Sequence, residues 1–353
     1  MQGRFENDIL GLVPKEDWLT VGFDVERPSD PIDTLFGDEK TDNLVAKWNS
    51  IAAEYQIPVM AQFHGFDTES LTTFRVPVDT HNIEKGLIKV KLNQSERMRA
   101  LLRSGVQNDE MYDYVVNDGV RLVDQVFTRS KVAKNELMAT GQVTIKENNL
   151  DLTVDYGVPA AQKAYTINTS GDIPGQIQTI IDAAAAKGVV INGMMASSQV
   201  ITAMRKNSSV QTAINGTAAS GATVRRSAFY DYLAEEFGII EVKANDLTYG
   251  ASASVAAATG LPAITTKRYY PVNKVTFYAT NPGGRLGIGL WGDPPEIDDY
   301  EVNPSAGDKP FVIVSQWFEK DPHVMWTKAS ALFMPVLYNP NSLFIASVTS
   351  TGA

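Results

Sequence analysis

The stretch EMYDYVVNDGVRLVDQVFTRSKVAKNELMATG, residues 110–141, limits what this chain can fold into more than any other. Met111, Val115, Leu122, Val126, Ala133 and Leu137 recur at steps of four and seven, which lines apolar side chains along one stripe of an α-helix, and Gly141 follows as a stop. At 1.5 Å per residue the piece from Glu110 to Met138 is roughly 40 Å long, more than twice the average globular helix of about 11 residues. Something extended must lie along it.

The flanking segments change period. Downstream, QVTIKENNLDLTVDYG alternates at Val143 and Ile145 and again at Leu150, Leu152, Val154 and Tyr156; Asn148-Asn149 between them suits a tight turn, so a hairpin is predicted. Upstream, Asn93 and Glu96 form a capping box for an earlier helical piece with Met98, Leu101 and Leu102 on its face, broken at SGVQND. Before that, Val76 and Val78 alternate with Arg75, Pro77 and Asp79, and LIKVKL (residues 87–92) reads as a strand. The polar, threonine-rich FDTESLTTFRVPVDTHNIEKG has too few apolar positions to bury both of its faces, so it reads as a two-stranded flap that needs a neighbour.

Residues 1–42 mix Pro14, Pro28 and Pro31 with acids from Asp24 to Asp42 and show little periodicity; they read as an extended arm or a disordered tail rather than a packed element. In NLVAKWNSIAAEY, Leu44, Trp48, Ile51, Ala52 and Tyr55 predict a short amphipathic helix ending before Pro58. From Gly171 to Ile240 helix and strand alternate: Ile173, Ile177, Ile180, Ile181 and Ala184 form one helical face, VVINGMM a buried strand, Ser197 or Ser198 a cap for QVITAMRKN, then a helix in FYDYLAEEFG and a strand in IIEVKA. This is a compact α+β or α/β unit, with a domain change near residues 157–171. ASASVAAATG reads as a loop, whereas KVTFYAT, FVIVSQWFEKDP and LFMPVLYNPNSLFIASV read as strands.

Composition removes several classes of function. The chain has no cysteine, which excludes disulfides, thiol nucleophiles and thiolate metal sites. With 31 basic and 41 acidic residues the net charge is −10, which repels phosphate backbones and argues against sequence-specific reading of nucleic acid. No apolar run approaches the roughly 20 residues of a membrane span, and the N-terminus lacks the basic-then-apolar pattern of a secretory signal. His64, His81 and His323 stand apart from one another and from any carboxylate pair at metal-ligand spacing, and no serine sits in a G-x-S-x-G setting.

The most chemical-looking motif is GIGLWG, which fits G-x-G-x-x-G at Gly287, Gly289 and Gly292. A dinucleotide turn needs a helix whose N-terminus faces the pyrophosphate. Here Pro294, Pro295 and four acids, Glu296, Asp298, Asp299 and Glu301, come next instead, without an apolar face. The glycines therefore read as backbone punctuation in a strand-to-loop segment and the acids as a solvated loop; a nucleotide-binding enzyme using Gly287–Gly292 is the contrasting alternative.

The order of these parts, acidic arm, β flap, long helix, hairpin and mixed α/β unit, resembles the Hong Kong 97 type major capsid protein of tailed bacteriophages. The closer resemblance is to the phage major capsid protein E family, carried by LVDQVFTRSKVAKNELMATGQVTIKENNLDLTVDYGVP and by the terminal FEKDPHVMWTKASALFMPVLYNPNSLFIASV. The resemblance implies an α+β fold divided into an N-terminal arm (1–42), a lead-in (43–62), an extended loop or flap (63–86), and a peripheral domain (87–164) with spine helix 109–138 and hairpin 142–157. An α/β axial domain (165–319) and closing C-terminal strands (320–353) complete it. It implies no catalytic, cofactor or metal residue. It also implies self-assembly, as pentamers and hexamers, into an icosahedral shell enclosing double-stranded DNA without sequence-specific binding. Scaffolding, portal and decoration proteins would be its partners, the virion its location and the bacterial host cytoplasm its place of assembly. The same fold builds nanocompartments, the second alternative. Some relatives crosslink flap lysines; Lys85 and Lys89 lie near the flap but read as solvated charges, and no crosslinking is assigned to them.

Overall fold

The long helix runs unbroken in the computed structural model from Asn108 to Thr140, 33 residues, or about 50 Å at 1.5 Å per residue. The structure describes residues 29–51, 60, 78–94, 108–147, 150–216, 223–255, 262–299, 310–319, 321 and 324–349. Leu122, Val123, Val126, Phe127, Ala133, Leu137 and Met138 bury the helix's apolar stripe. Gly141, at φ 72°, ends it in the left-handed conformation that costs glycine nothing.

Ahead of the long helix, a helical turn (Pro31–Leu35) leads into β1 (Phe36–Lys40), β2 (Val45–Ile51), β3 (Val78–Glu84) and β4 (Gly86–Gln94). After it come the hairpin strands β5 (Gln142–Glu147) and β6 (Leu150–Asp155), then β7 (Tyr165–Asn168), β8 (Gly193–Ala196) and β9 (Glu241–Ala244). The chain continues through β10 (Thr248–Val255), β11 (Pro262–Arg268), β12 (Lys274–Tyr278), β13 (Gly287–Gly292), β14 (Ile313–Glu319), β15 (Val324–Leu337) and β16 (Leu343–Thr349).

Two five-stranded sheets organise these elements. In the first, the 14-residue β15 is the centre. It has β4 along one side, from Gln94 opposite Met325 to Gly86 opposite Phe333. Its other side carries β14 and β13 end to end, with β1 parallel to β13 beyond them. This sheet covers the long helix, and Phe127, Leu137, Trp291, Phe333 and Leu337 share one core with Ile32, Leu35 and Phe36. The second sheet runs β7-β16-β12-β8-β9. Helices Ile173–Ala185, Ser198–Lys206, Ser208–Asn215 and Arg226–Phe237 pack with it in a second core. Hydrogen bonds lock the units together: Thr276 Oγ1 donates to the Met138 carbonyl at the end of the long helix (2.7 Å), Asn245 Nδ2 to Asp30 Oδ1 and to Asn135 Oδ1 (3.0 Å each), and Lys243 Nζ to Thr34 Oγ1 (2.6 Å).

Several local readings match the observed elements. Ile173, Ile177, Ile180 and Ala184 are the buried face of their helix, and the Ser197 side chain caps the next one by accepting from the Val200 N–H. The hairpin forms with Val143 opposite Val154.

Others are corrected. Residues 45–51 are strand β2, paired antiparallel with β3 from Val45 opposite Glu84 to Ile51 opposite Val78, not a helix. A pattern of three and four over so few residues is outweighed by cross-strand pairing. The predicted lead-in thus supplies a strand that pairs with residues 78–84; the rest of the predicted flap, residues 63–77, and residues 52–59 lie outside the described residues. Asn93 and Gln94 end β4 rather than cap a helix, and the rest of that helical reading, residues 95–107, also lies outside. The arm is packed at its end: Ile32, Leu35 and Phe36 are fully buried, and Asp30 caps their turn through the Ile32 N–H (2.9 Å). ASASV belongs to β10, which pairs with β11, because backbone pairing needs no large side chain. Finally, residues 165–319 are not one unit. β13 and β14 run in the sheet on the long helix, whereas the C-terminal β16 closes the other sheet.

Candidate assembly interface

The glycine motif is strand β13 itself, flanked by β1 and β15, so it is neither a dinucleotide turn nor a strand-to-loop segment. Beyond it the chain forms a 3₁₀ turn, Pro295–Asp299, not a helix that could face a phosphate. The glycines answer to close packing. A Cβ at Gly287 would press on the Val336 carbonyl and stand 2.7 Å from the Phe36 ring. At Gly289 it would lie 2.5 Å from Asp38 Oδ1 and 2.9 Å from Lys134 Cε. Lys134 comes from the long helix and is fully buried. Its Nζ donates to Asp38 Oδ1 (2.8 Å) and to the Phe36 carbonyl (3.1 Å), while Trp291 Nε1 donates to the same carboxylate oxygen (2.7 Å). A lysine can lie across this strand only because the strand has no side chain there. Removing one partner of so buried a pair leaves an uncompensated charge.

Of the two lysines near the flap, Lys89 is exposed as expected, whereas Lys85 is not solvated. Lys85 is 3% exposed, and its ammonium donates to the Thr41 carbonyl (3.0 Å), Thr41 Oγ1 (2.6 Å) and the Trp291 carbonyl (2.9 Å). Burial lowers its pKa to about 8 against the opposing pull of Asp293 and Asp42. Lys89 pairs with Glu296 at 3.6 Å. Glu296 is likewise no member of a solvated loop: Lys328 Nζ donates to it at 2.6 Å and Ser330 Oγ at 3.0 Å. Burial raises its pKa, but these hydrogen bonds and the Lys328 charge outweigh that and hold it below the ordinary glutamate value. The side chains of Asp298 and Asp299, and all of Glu301, His64 and His323, lie outside the described residues; His81 is in β3. Among the described residues no three His, Cys, Asp or Glu side chains are grouped to hold a metal.

Several large apolar side chains are left at the surface. The hairpin's inner face starts in the core at Val143 and Val154, then runs outward to Leu152, 46% exposed, and Leu150, 60% exposed. These leucines, with Leu44 and Leu87 at the flap stem, line a cleft of about 730 Å³ beside β4. On the second sheet, Val190 and Ile240 are about four-fifths exposed near its outer strand β9. The Ile240 N–H donates to the Asn192 carbonyl at 3.0 Å. Sequence reasoning missed Lys134, Val190 and Ile240. A lysine beside an apolar stripe and a valine inside VVINGMM carry no local sign of where the sheets end. Such separate apolar areas suit subunit contact rather than reaction.

Solved structures share the fold. The chain is similar to a putative prophage capsid protein from Escherichia coli CFT073, with a TM-score of 0.54 at 13% identity over 97% of this chain and 99% of that one. It is also similar to a phage-related protein from Bordetella bronchiseptica RB50, with a TM-score of 0.53 at 10% identity over 94% and 96%. No curated protein matches the chain. The fold is the Hong Kong 97 type, that of phage capsid structures. The profile of the phage major capsid protein E family matches residues 58–348, and the chain belongs to that family. It is a structural major capsid protein, the subunit of an icosahedral phage shell.

Proposed function

We propose that copies of this chain meet as pentamers and hexamers. The unit built on the second sheet turns toward the symmetry axes, and the unit built on the long helix forms the outer part of each capsomer. The flap rising from β2 and β3 reaches over an adjacent subunit. Scaffolding, portal and decoration proteins join the assembly, which forms in the bacterial host cytoplasm around double-stranded DNA held without sequence-specific contacts.

The observation that carries this reading is apolar area at separate places on one subunit: Leu150 and Leu152 on the hairpin, and Val190 and Ile240 near the outer strand of the second sheet. A ring contact needs two different surfaces on each copy, joined head to tail. Sedimentation of the purified protein tests it. Ile240→Asp is expected to shift material from fast-sedimenting particles to free 38.5 kDa subunits. A variant that assembles like the parent would remove the second sheet's edge from the interface. A cargo enzyme copurifying inside the particles in place of DNA would favour the nanocompartment reading.

A further inference from the structure

The open edge of β4, beside the hairpin leucines, specifies that contact further. Among the described residues β4 pairs with β15 alone, so its other edge, nine residues long, offers backbone donors and acceptors for another strand. Its two faces differ in chemistry. Ile88 and Val90 pack toward the core, on the side where Ile145, Leu150 and Leu152 overhang the cleft. Lys89 and Lys91 alternate onto the opposite face, where Lys91 Nζ sits 4.1 Å from the Trp326 ring centroid. A strand that fits must be apolar at alternate positions and acidic between them.

The chain contains such a segment. Leu19, Val21, Phe23 and Val25 alternate with Thr20, Gly22, Asp24 and Glu26, a run short enough to vanish within the charge-rich first 42 residues. We propose that residues 19–26 of a neighbouring copy add to the open edge of β4. Their apolar set packs under the hairpin leucines, and Asp24 and Glu26 face Lys89 and Lys91. The inference rests on the shell reading, since it needs copies held side by side.

Geometry favours a neighbouring copy over the same copy as donor. The chain enters the described structure at Ser29, before β1, which lies at the far edge of the sheet from β4. Phe36 is level with Leu337 through Gly287, whereas Lys89 is level with Ser330. Seven residues along and four strand spacings across separate the two places by about 30 Å. Four extended residues reach about 14 Å and the capped turn adds about 13 Å at most, short of that gap before any detour round the sheet.

Because the chain has no cysteine, an introduced pair reports unambiguously. Shells of Phe23→Cys with Leu152→Cys, treated with a short bismaleimide, are expected to give a ladder of covalent multimers on denaturing gels, and Phe23→Cys with Ile240→Cys none. Four results overturn the proposal: no ladder from assembled shells, an equal ladder from the Ile240 control, an internally linked monomer, or a ladder from Leu71→Cys with Leu152→Cys instead, which assigns the cleft to the flap. If the cysteine variants do not assemble, charge reversal decides. K89E/K91E is expected to lose particles and D24K/E26K in the same chain to restore them; failure to restore overturns the proposal. If the parent chain itself forms no particles, the shell reading fails first, and this inference with it.

Discussion

A side chain placed at Gly289 must displace Asp38 and Lys134, the two ends of an ion pair whose lysine is buried. Gly289→Val is therefore expected to destabilise the subunit by about 2–4 kcal/mol, read as a lower urea midpoint. If the glycines instead served a nucleotide, NAD or ATP would raise the Tm of the parent and not of the variant; no shift is expected for either. Glu296 gives a test by pH. Its folded pKa lies below the unfolded value, so its contribution is complete above the unfolded pKa and is lost as pH falls through the folded one. Glu296→Gln should flatten the acid limb of stability against pH below about 4.5; an unchanged limb would mean that the contacts with Lys328 and Ser330 contribute no net stability. These residues show where the sequence was opaque. The acids after the glycines looked solvated because the partners of Glu296, Lys328 and Ser330, come from β15, more than 30 residues on.

At the scale of elements, the hairpin separates folding from association. Val143 and Val154 anchor it, and Leu150 and Leu152 stand beyond the core. Replacing both leucines by serine should leave subunit stability within about 0.5 kcal/mol while cutting particle yield severalfold. A matched loss of melting temperature would instead make them core residues. The long helix, the hairpin and the Ile173–Ala185 helix were legible because each carries its period over enough residues to stand alone. β2 was not, because its identity comes from pairing with residues as far as Glu84, opposite Val45. The same limit hid the division of the C-terminal strands, since only the register of β15 decides that β13 and β14 join the long helix.

For the whole molecule, charge and shape act together. Each copy carries a net charge of −10, so copies brought together repel. Screening shortens that repulsion to about 8 Å at 0.15 M salt, and particle yield is expected to rise from low ionic strength to that level. A yield falling over the same range would make charge pairs, not apolar contact, the leading attraction. The fold class was legible from the order of parts, because a polar flap with too few apolar positions to bury both faces and a long amphipathic helix leave association as the outlet for surface burial. The most direct test is electron microscopy of the purified protein with symmetry-averaged reconstruction. Closed icosahedral shells are expected, with density that accepts this subunit around five-fold axes. Free subunits at every concentration and salt level, with no rings or shells, would contradict a capsid role.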